Sequence, residues 1–324
     1  MCTRPNYMVW HGEYHPESGK EKFVFQPHCN YDKLVLAKVP FIEVGCGKCI
    51  ECKQQQASMW SDRCVFEAMQ HEHNYFITLT YDDIHIPLDG CLHQEHMQKF
   101  IKRLRKYFVK KLNQRDIRYF YVGEYGSSSM RCHWHLILFN CYIPDLSDVF
   151  EVLEADGRYH KHKRPSSRDS CRYSRIIYDL WQNQGMISID EFNYNTAAYV
   201  AGYVNKKIDE KHLYLINKLG LTPEFHRMST RPGIGDGYFS TDMFDKSFLI
   251  IPRSGGAKHS VVPRFYEKKL DKLYPWLFND LKSKQADSRK ERLSAYLQED
   301  KFKDRDNDLR NDRLKCKSNL RNKI

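Results

Sequence analysis

Residues 131–139 read RCHWHLILF and set two histidines, His133 and His135, one residue apart at the head of an apolar run. Side chains alternate between faces along a strand, so both imidazoles share a face with Ile137 and Phe139. Trp134, Leu136 and Leu138 take the other face. Two imidazoles on one face are either a pair of metal ligands or the polar end of a half-buried strand. Glu124, in the segment VGEYG, ends the strand-like run IRYFYVG at 117–123. If that run pairs with the histidine strand, Glu124 approaches both imidazoles and completes an N,N,O donor set. Such a set leaves positions on a divalent ion open to substrate oxygens. An ion of that kind beside a phosphodiester acts as a Lewis acid toward the phosphoryl oxygens.

The segment AAYVAGYVNKK (197–207) carries the second constellation. On a helix Tyr199 and Tyr203 stand one turn apart on a single face, and Lys207 follows one turn later, flanked by Lys206. An aromatic pair at this spacing ordinarily packs a core. Here Ala197, Ala198, Ala201 and Gly202 are small, which lets the helix lie close to a sheet or a ligand backbone. A phenol is a usable nucleophile toward phosphorus when a cation or a metal assists it, and lysines at the helix end suit a phosphate clamp.

Third, CGKCIEC places Cys46, Cys49 and Cys52 with two residues between successive thiols. The chain has eleven cysteines, an odd and scattered set that does not resemble a secreted disulfide framework. The triplet has metal-type spacing and, with a fourth donor, suits a structural Zn²⁺. The competing expectation is a set of reduced thiols.

The elements that carry these residues follow from periodicity. A helix is predicted from Gln55 to about His71, with Ala57, Trp60, Cys64 and Ala68 on one stripe. NYFITLTYDD then reads as a strand. A second helix over 94–112 has Met97, Phe100, Ile101, Leu104 and Phe108 as its buried face. The 117–123 and histidine strands form an antiparallel pair across YGSSSM. Residues 145–155 read as weakly helical, 157–172 as a basic loop, GMISID as a strand, and NTAAYVAGYVNKKI as a helix with Asn195 or Thr196 as its cap. Residues 1–45 read as irregular apart from a short strand at 34–43, and TRPGIGDGYF as turn punctuation. The order predicts an α+β fold, a central antiparallel sheet with flanking helices. Three regions are expected: a Cys-rich segment at 1–54, the α+β domain at 55–275, and a charged tail at 276–324 that is a solvated helix or partly disordered.

Composition narrows the partner. The 324 residues carry a net charge of +11, and 29% of them are charged. The basic runs KRLRKYFVKK (102–111) and GRYHKHKRPSSRDSCRYS (157–174) are interleaved with tyrosine, which suits a phosphate backbone and unstacked bases. Arg158, Lys161, Lys163 and Arg164 are assigned to DNA contact on charge alone. No apolar run approaches membrane-spanning length, and the first residues lack the apolar centre of a secretory signal. The chain is expected to stay in the compartment that makes it.

Taken together, the motifs resemble those of the HUH superfamily of single-strand endonucleases. YFITLTY resembles the first motif of rolling-circle initiators, HWHLILF the second, and YVAGYVNKK the third. An early Cys2, CGKCIEC running into a Trp-containing helix, GEYG and RPGIG narrow the resemblance to the replication initiation proteins of gokushoviruses, small single-stranded DNA phages. The resemblance covers residues 40–240. It implies an RRM-like HUH fold and a metal-dependent enzyme that nicks and rejoins single-stranded DNA at a phage origin through a 5′-phosphotyrosine. Tyr199 and Tyr203 would be the nucleophiles, assisted by Lys206 and Lys207, with His133, His135 and Glu124 holding Mg²⁺ or Mn²⁺. The early cysteine makes Cys2 the first choice as fourth zinc ligand, with Cys29 or His28 as the alternative. The partners implied are origin DNA and the host helicase and polymerase, in the host bacterial cytoplasm and away from any membrane. The other function open at this point is a non-catalytic, zinc-containing nucleic-acid-binding protein whose tyrosines stack on bases.

Overall fold

The computed structural model describes residues 6–14, 16, 21–26, 34, 41–154, 157–162, 171–206, 210–246, 248–253 and 255–298. The chain divides into two compact units, Ala57–Ser283 and a second made of Met1–Gln56 with Lys284–Ile324. The larger unit is α+β. Its centre is a five-stranded, wholly antiparallel sheet of β4 (Asn74–Leu79), β5 (Arg118–Tyr125), β6 (Cys132–Phe139), β9 (Ile187–Glu191) and β10 (Phe225–Met228). The strand order is β10-β5-β6-β4-β9, so the histidine strand β6 lies in the middle.

Both faces of the sheet are covered, which is why β6 reads as a nearly unbroken apolar run after its histidines. One face gathers Ile77, Leu79, Tyr121, Trp134, Leu136 and Leu138 under helix α2 (Gln94–Leu112), whose buried residues are Met97, Phe100, Ile101, Leu104 and Phe108. The short helix α3 (Arg175–Leu180) adds Ile177 and Tyr178 to that face. The opposite face gathers Phe76, Phe120, Val122, Ile137 and Phe139 under Cys64, Val65, Phe66 and Ala68 of α1 (Ile50–Ala68) and Ala197 and Val200 of α4 (Tyr194–Lys206). Gly123 is dictated by this layering. A Cβ there would stand 2.6 Å from the indole of Trp134, its cross-strand partner.

The turn RPGIG is tied to the second face. Arg63 donates to the Ile234 carbonyl at 3.0 and 2.8 Å, and Arg118 donates to those of Pro232 and Gly233, each at 2.9 Å. Glu67 pairs with Arg118 and accepts the Gly235 N–H at 2.6 Å. Gly235 sits at φ +75°, and a Cβ on it would lie 2.6 Å from the Tyr266 hydroxyl. The segment is turn punctuation held by a buried ion pair, not a nucleotide loop.

Several sequence expectations are corrected. Residues 1–45 are not irregular: β1 (Asn6–Tyr14), β2 (Glu21–Gln26) and β3 (Phe41–Val44) form an antiparallel sheet in the order β2-β1-β3. Only Tyr7 and Val9 alternate inward along β1, too short a pattern to distinguish from loop. The strand expected at 34–43 begins only at Phe41. The weak helix at 145–155 contains instead β7 (Phe150–Leu153), which pairs with β8 (Tyr159–His162) inside the stretch expected to be a loop. Gly157 makes that hairpin possible at φ +75°, and local pairing prevails over helical propensity.

Helix α4 starts at Tyr194 and is capped by Asn193, not by Asn195 or Thr196. The Asn193 Oδ1 accepts the Thr196 N–H at 3.0 Å, and the Thr196 Oγ1 accepts the Asn193 N–H at 3.0 Å, a reciprocal box. Beyond it come α5 (Glu210–Lys218), the hairpin of β11 (Leu249–Arg253) and β12 (Gly256–Ser260), and α6 (Arg264–Leu273). Helix α7 (Pro275–Gln298) occupies the described part of the charged tail.

Candidate active site

The register of the three central strands assembles the site. Glu124 of β5 stands directly opposite His133 of β6, and Thr78 of β4 stands opposite His135. Because alternate residues share a face, these pairings bring Thr78, Glu124, His133 and His135 to the side of the sheet that carries α4. The Glu124 Oε1 lies 2.8 Å from the His133 Nε2 and 3.4 Å from the His135 Nε2. One ligand atom from each of the three residues falls within 4.8 Å of the others. Glu124 is 2% exposed and His135 5%, so the cluster is nearly withdrawn from water.

The remaining ring nitrogens are held from behind. The His133 Nδ1 donates to the Arg131 carbonyl at 3.1 Å, and the His135 Nδ1 is 3.0 Å from the Thr78 hydroxyl. Both Nε2 atoms are thereby aimed at the carboxylate. With the His133 Nδ1–H given to a carbonyl, its Nε2 and the Glu124 oxygen present lone pairs to the same point, which a cation between them satisfies. Donor set, burial and orientation fit a divalent ion. Thr78 is the residue that sequence reasoning missed. It lies within YFITLTY, but its role depends on the β4–β6 register, which one sequence does not carry.

Tyr199 completes the assembly. Ala197, Val200 and Ala201 are buried where α4 packs on β5, β6 and β11, and Tyr199 is 49% exposed. Its hydroxyl is 3.4 Å from the His135 Nε2, and its ring meets His135 edge-on with centroids 5.1 Å apart. Phe76 stacks on the His135 ring at 5.4 Å and meets Tyr199 at a right angle. A polar hydroxyl thus stands open to solvent at the rim of a buried donor cluster. The small-residue argument holds for Ala197 and Ala201, but a Cβ on Gly202 would meet only open space.

Tyr203 and Lys206 lie in the last turns of α4, with their side chains outside the described residues; Lys207, Lys163, Arg164 and Cys2 lie outside them altogether. Arg158 and Lys161 are exposed around the β7–β8 hairpin. Cys46, Cys49 and Cys52 come together as a second cluster, with one ligand sulfur from each within 4.8 Å of the others. By contrast, Cys64, Cys132 and Cys141 are buried in the sheet cores, where desolvation pushes their thiols up, Cys132 to about 11. Among the described residues no helix is long and apolar enough to cross a membrane.

Residues 74–208, from β4 past the end of α4, match the family of replication-associated proteins of the ORF2 type. Replication-associated protein ORF2 of Spiroplasma virus 4 is 31% identical over 238 residues, which cover 71% of this chain and 68% of that protein. Replication-associated protein VP4 of Bdellovibrio phage phiMH2K is 30% identical over 270 residues, 78% of each chain. Replication-associated protein ORF4 of Chlamydia phage 1 is 36% identical over 163 residues, 50% of this chain and 38% of that protein. No solved structure matches the chain. The matched segment contains the histidine strand, its carboxylate partner and the tyrosine helix, and on these similarities the chain belongs to the family of phage replication-associated proteins, the replication initiators that its motifs resemble.

Proposed function

We propose that this chain initiates phage DNA replication by nicking one strand at the origin and rejoining it through a phosphotyrosine. The observation that carries the reading is the Tyr199 hydroxyl, half exposed and 3.4 Å from the His135 Nε2 at the rim of the Glu124–His133–His135 cluster. A nucleophile beside a site for charge neutralisation is what phosphoryl transfer needs, since that chemistry rests on positioning and electrostatics.

The phenol oxygen of Tyr199 attacks the scissile phosphorus and the bond from phosphorus to the 3′ oxygen breaks. The 5′ phosphate stays on the tyrosine, the phenol loses its proton, and the departing 3′ oxygen gains one. The free 3′-hydroxyl then primes synthesis. Tyr203, one turn further along α4, repeats the cleavage on the regenerated origin, and the new 3′-hydroxyl attacks the first phosphotyrosine to close a circle. Two phenols on one helix suit this alternation, because a small shift exchanges them at one position. Glu124, His133 and His135 would hold Mg²⁺ or Mn²⁺, which when bound neutralises charge on the phosphoryl oxygens. Lys206 and Lys207 clamp the phosphate, and Arg158, Lys161, Lys163 and Arg164 track the strand backbone. Host helicase and polymerase, in the bacterial cytoplasm, are the partners such priming requires.

The test is an SDS-resistant adduct on a labelled origin oligonucleotide. Tyr199→Phe should strongly reduce first cleavage, and Tyr199→Phe with Tyr203→Phe should abolish the adduct while origin binding persists. A stacking protein without catalysis gives no adduct from the wild-type chain, and that outcome refutes the proposal.

A further inference from the structure

The cysteine cluster stands apart from the proposed chemistry and has a structure of its own. Cys46 and Cys49 flank the turn that leads into α1, and Cys52 lies in the first turn of that helix. Gly47 adopts φ +71°, a left-handed conformation that folds the Cys46–Cys49 turn back on itself. Three backbone N–H groups are turned on two of the sulfurs. Those of Lys48 and Cys49 point at the Cys46 Sγ, at 3.4 and 3.2 Å, and that of Cys52 points at the Cys49 Sγ at 3.5 Å. Sulfur is a weak acceptor when it is a neutral thiol. Backbone donors aimed at it gain most when it carries charge, as metal-bound thiolates do. The three sulfurs are also close enough to share one ion: one from each residue lies within 4.8 Å of the others. A tetrahedral zinc with Zn–S bonds of about 2.3 Å needs sulfurs about 3.8 Å apart, a contraction that side-chain rotation alone can supply.

We infer that Cys46, Cys49 and Cys52 are three thiolate ligands of a structural Zn²⁺ that fixes the turn entering α1. A soft, thiolate-rich set selects zinc over the hard divalent ions suited to the carboxylate and imidazoles of the candidate active site. The N-terminal segment gives such an ion a purpose. The described core of its sheet is small, with Tyr7, Val9 and Leu34 buried and Phe41 packed against them. A metal staple supplies stability where so little apolar surface is buried.

The experiment uses the full chain purified without chelator. Metal analysis should find about one zinc per chain. Cys46→Ser, Cys49→Ser and Cys52→Ser should each lose most of it, while Cys91→Ser, His133→Ala and His135→Ala should keep it. Should the cysteine variants fail to fold, adding Co²⁺ to the wild-type chain stripped of metal reads the same site. A thiolate-to-cobalt charge-transfer band with the intensity of at least three Co–S bonds is expected, and zinc should abolish it. Zinc-free protein that shows no such band overturns the inference, as does zinc lost on His133→Ala but kept on Cys49→Ser.

Discussion

The two faces of the central sheet are built from the same strands and do different work. On one, Trp134, Leu136 and Leu138 of β6 are fully buried beneath α2, and the polar groups there are few and satisfied: the indole N–H of Trp134 donates to the Tyr81 hydroxyl at 2.9 Å. On the other, the same strand begins with His133 and His135 before turning apolar at Ile137 and Phe139, and α4 rather than a long amphipathic helix lies over its polar end. Period-two alternation lets one strand anchor a core and present a donor cluster with no compromise between them. Strand β5 repeats the division, with Gly123 making room for Trp134 on one side and Glu124 facing the histidines on the other.

If the division is real, the two faces break differently. Trp134→Ala should cost about 3–5 kcal/mol of folding stability, the range for emptying a large aromatic from a core. Denaturant unfolding measures it, and any nicking loss should follow the unfolded fraction. His133→Ala or His135→Ala should remove metal-dependent nicking while the denaturant midpoint moves much less than in Trp134→Ala. Equal stability losses on both faces with nicking retained would mean that the histidines only finish a strand.

The comparison sharpens one layer out. Thr78→Val keeps shape and removes the hydroxyl that holds the His135 Nδ1. Metal affinity, read from the Mn²⁺ concentration dependence of nicking, should fall by about 10–100-fold, the usual cost of an outer-shell partner. Recovery at high Mn²⁺ separates this positioning role from loss of a ligand. The smallest effect is expected at the helix cap. Asn193→Ala removes one half of the reciprocal box with Thr196 and should cost about 1 kcal/mol of stability. It frays the helix that carries Tyr199, so adduct yield should fall modestly with the metal dependence unchanged.

What was legible in the sequence follows the range of the interactions involved. The stripe Met97, Phe100, Ile101, Leu104 and Phe108 is local, and it is buried as its spacing predicts. The β5–β6 pairing spans only a short turn, so the approach of Glu124 to His133 could be reasoned without a structure. Strand β10 pairs with β5 at Phe225 and Gly123 across a hundred residues of chain, and nothing in FHRM announces it. Thr78 is hidden for the same reason. The β7–β8 hairpin failed differently, because its charged residues mimic a loop and its pairing depends on Gly157. Asn193 was overlooked because Asn195 and Thr196 offer the same chemistry two and three residues later.

The central claim, that Tyr199 attacks DNA beside the histidine–carboxylate cluster, is tested most directly by peptide mass spectrometry of the covalent adduct. The chain is incubated with single-stranded origin DNA and Mn²⁺, and the DNA is digested to a nucleotide remnant. The account predicts the remnant on the peptide carrying Tyr199, shifted to Tyr203 in Tyr199→Phe, and absent from the double variant and from His135→Ala. A remnant on any residue outside α4, or an adduct that survives in the double variant, would contradict it.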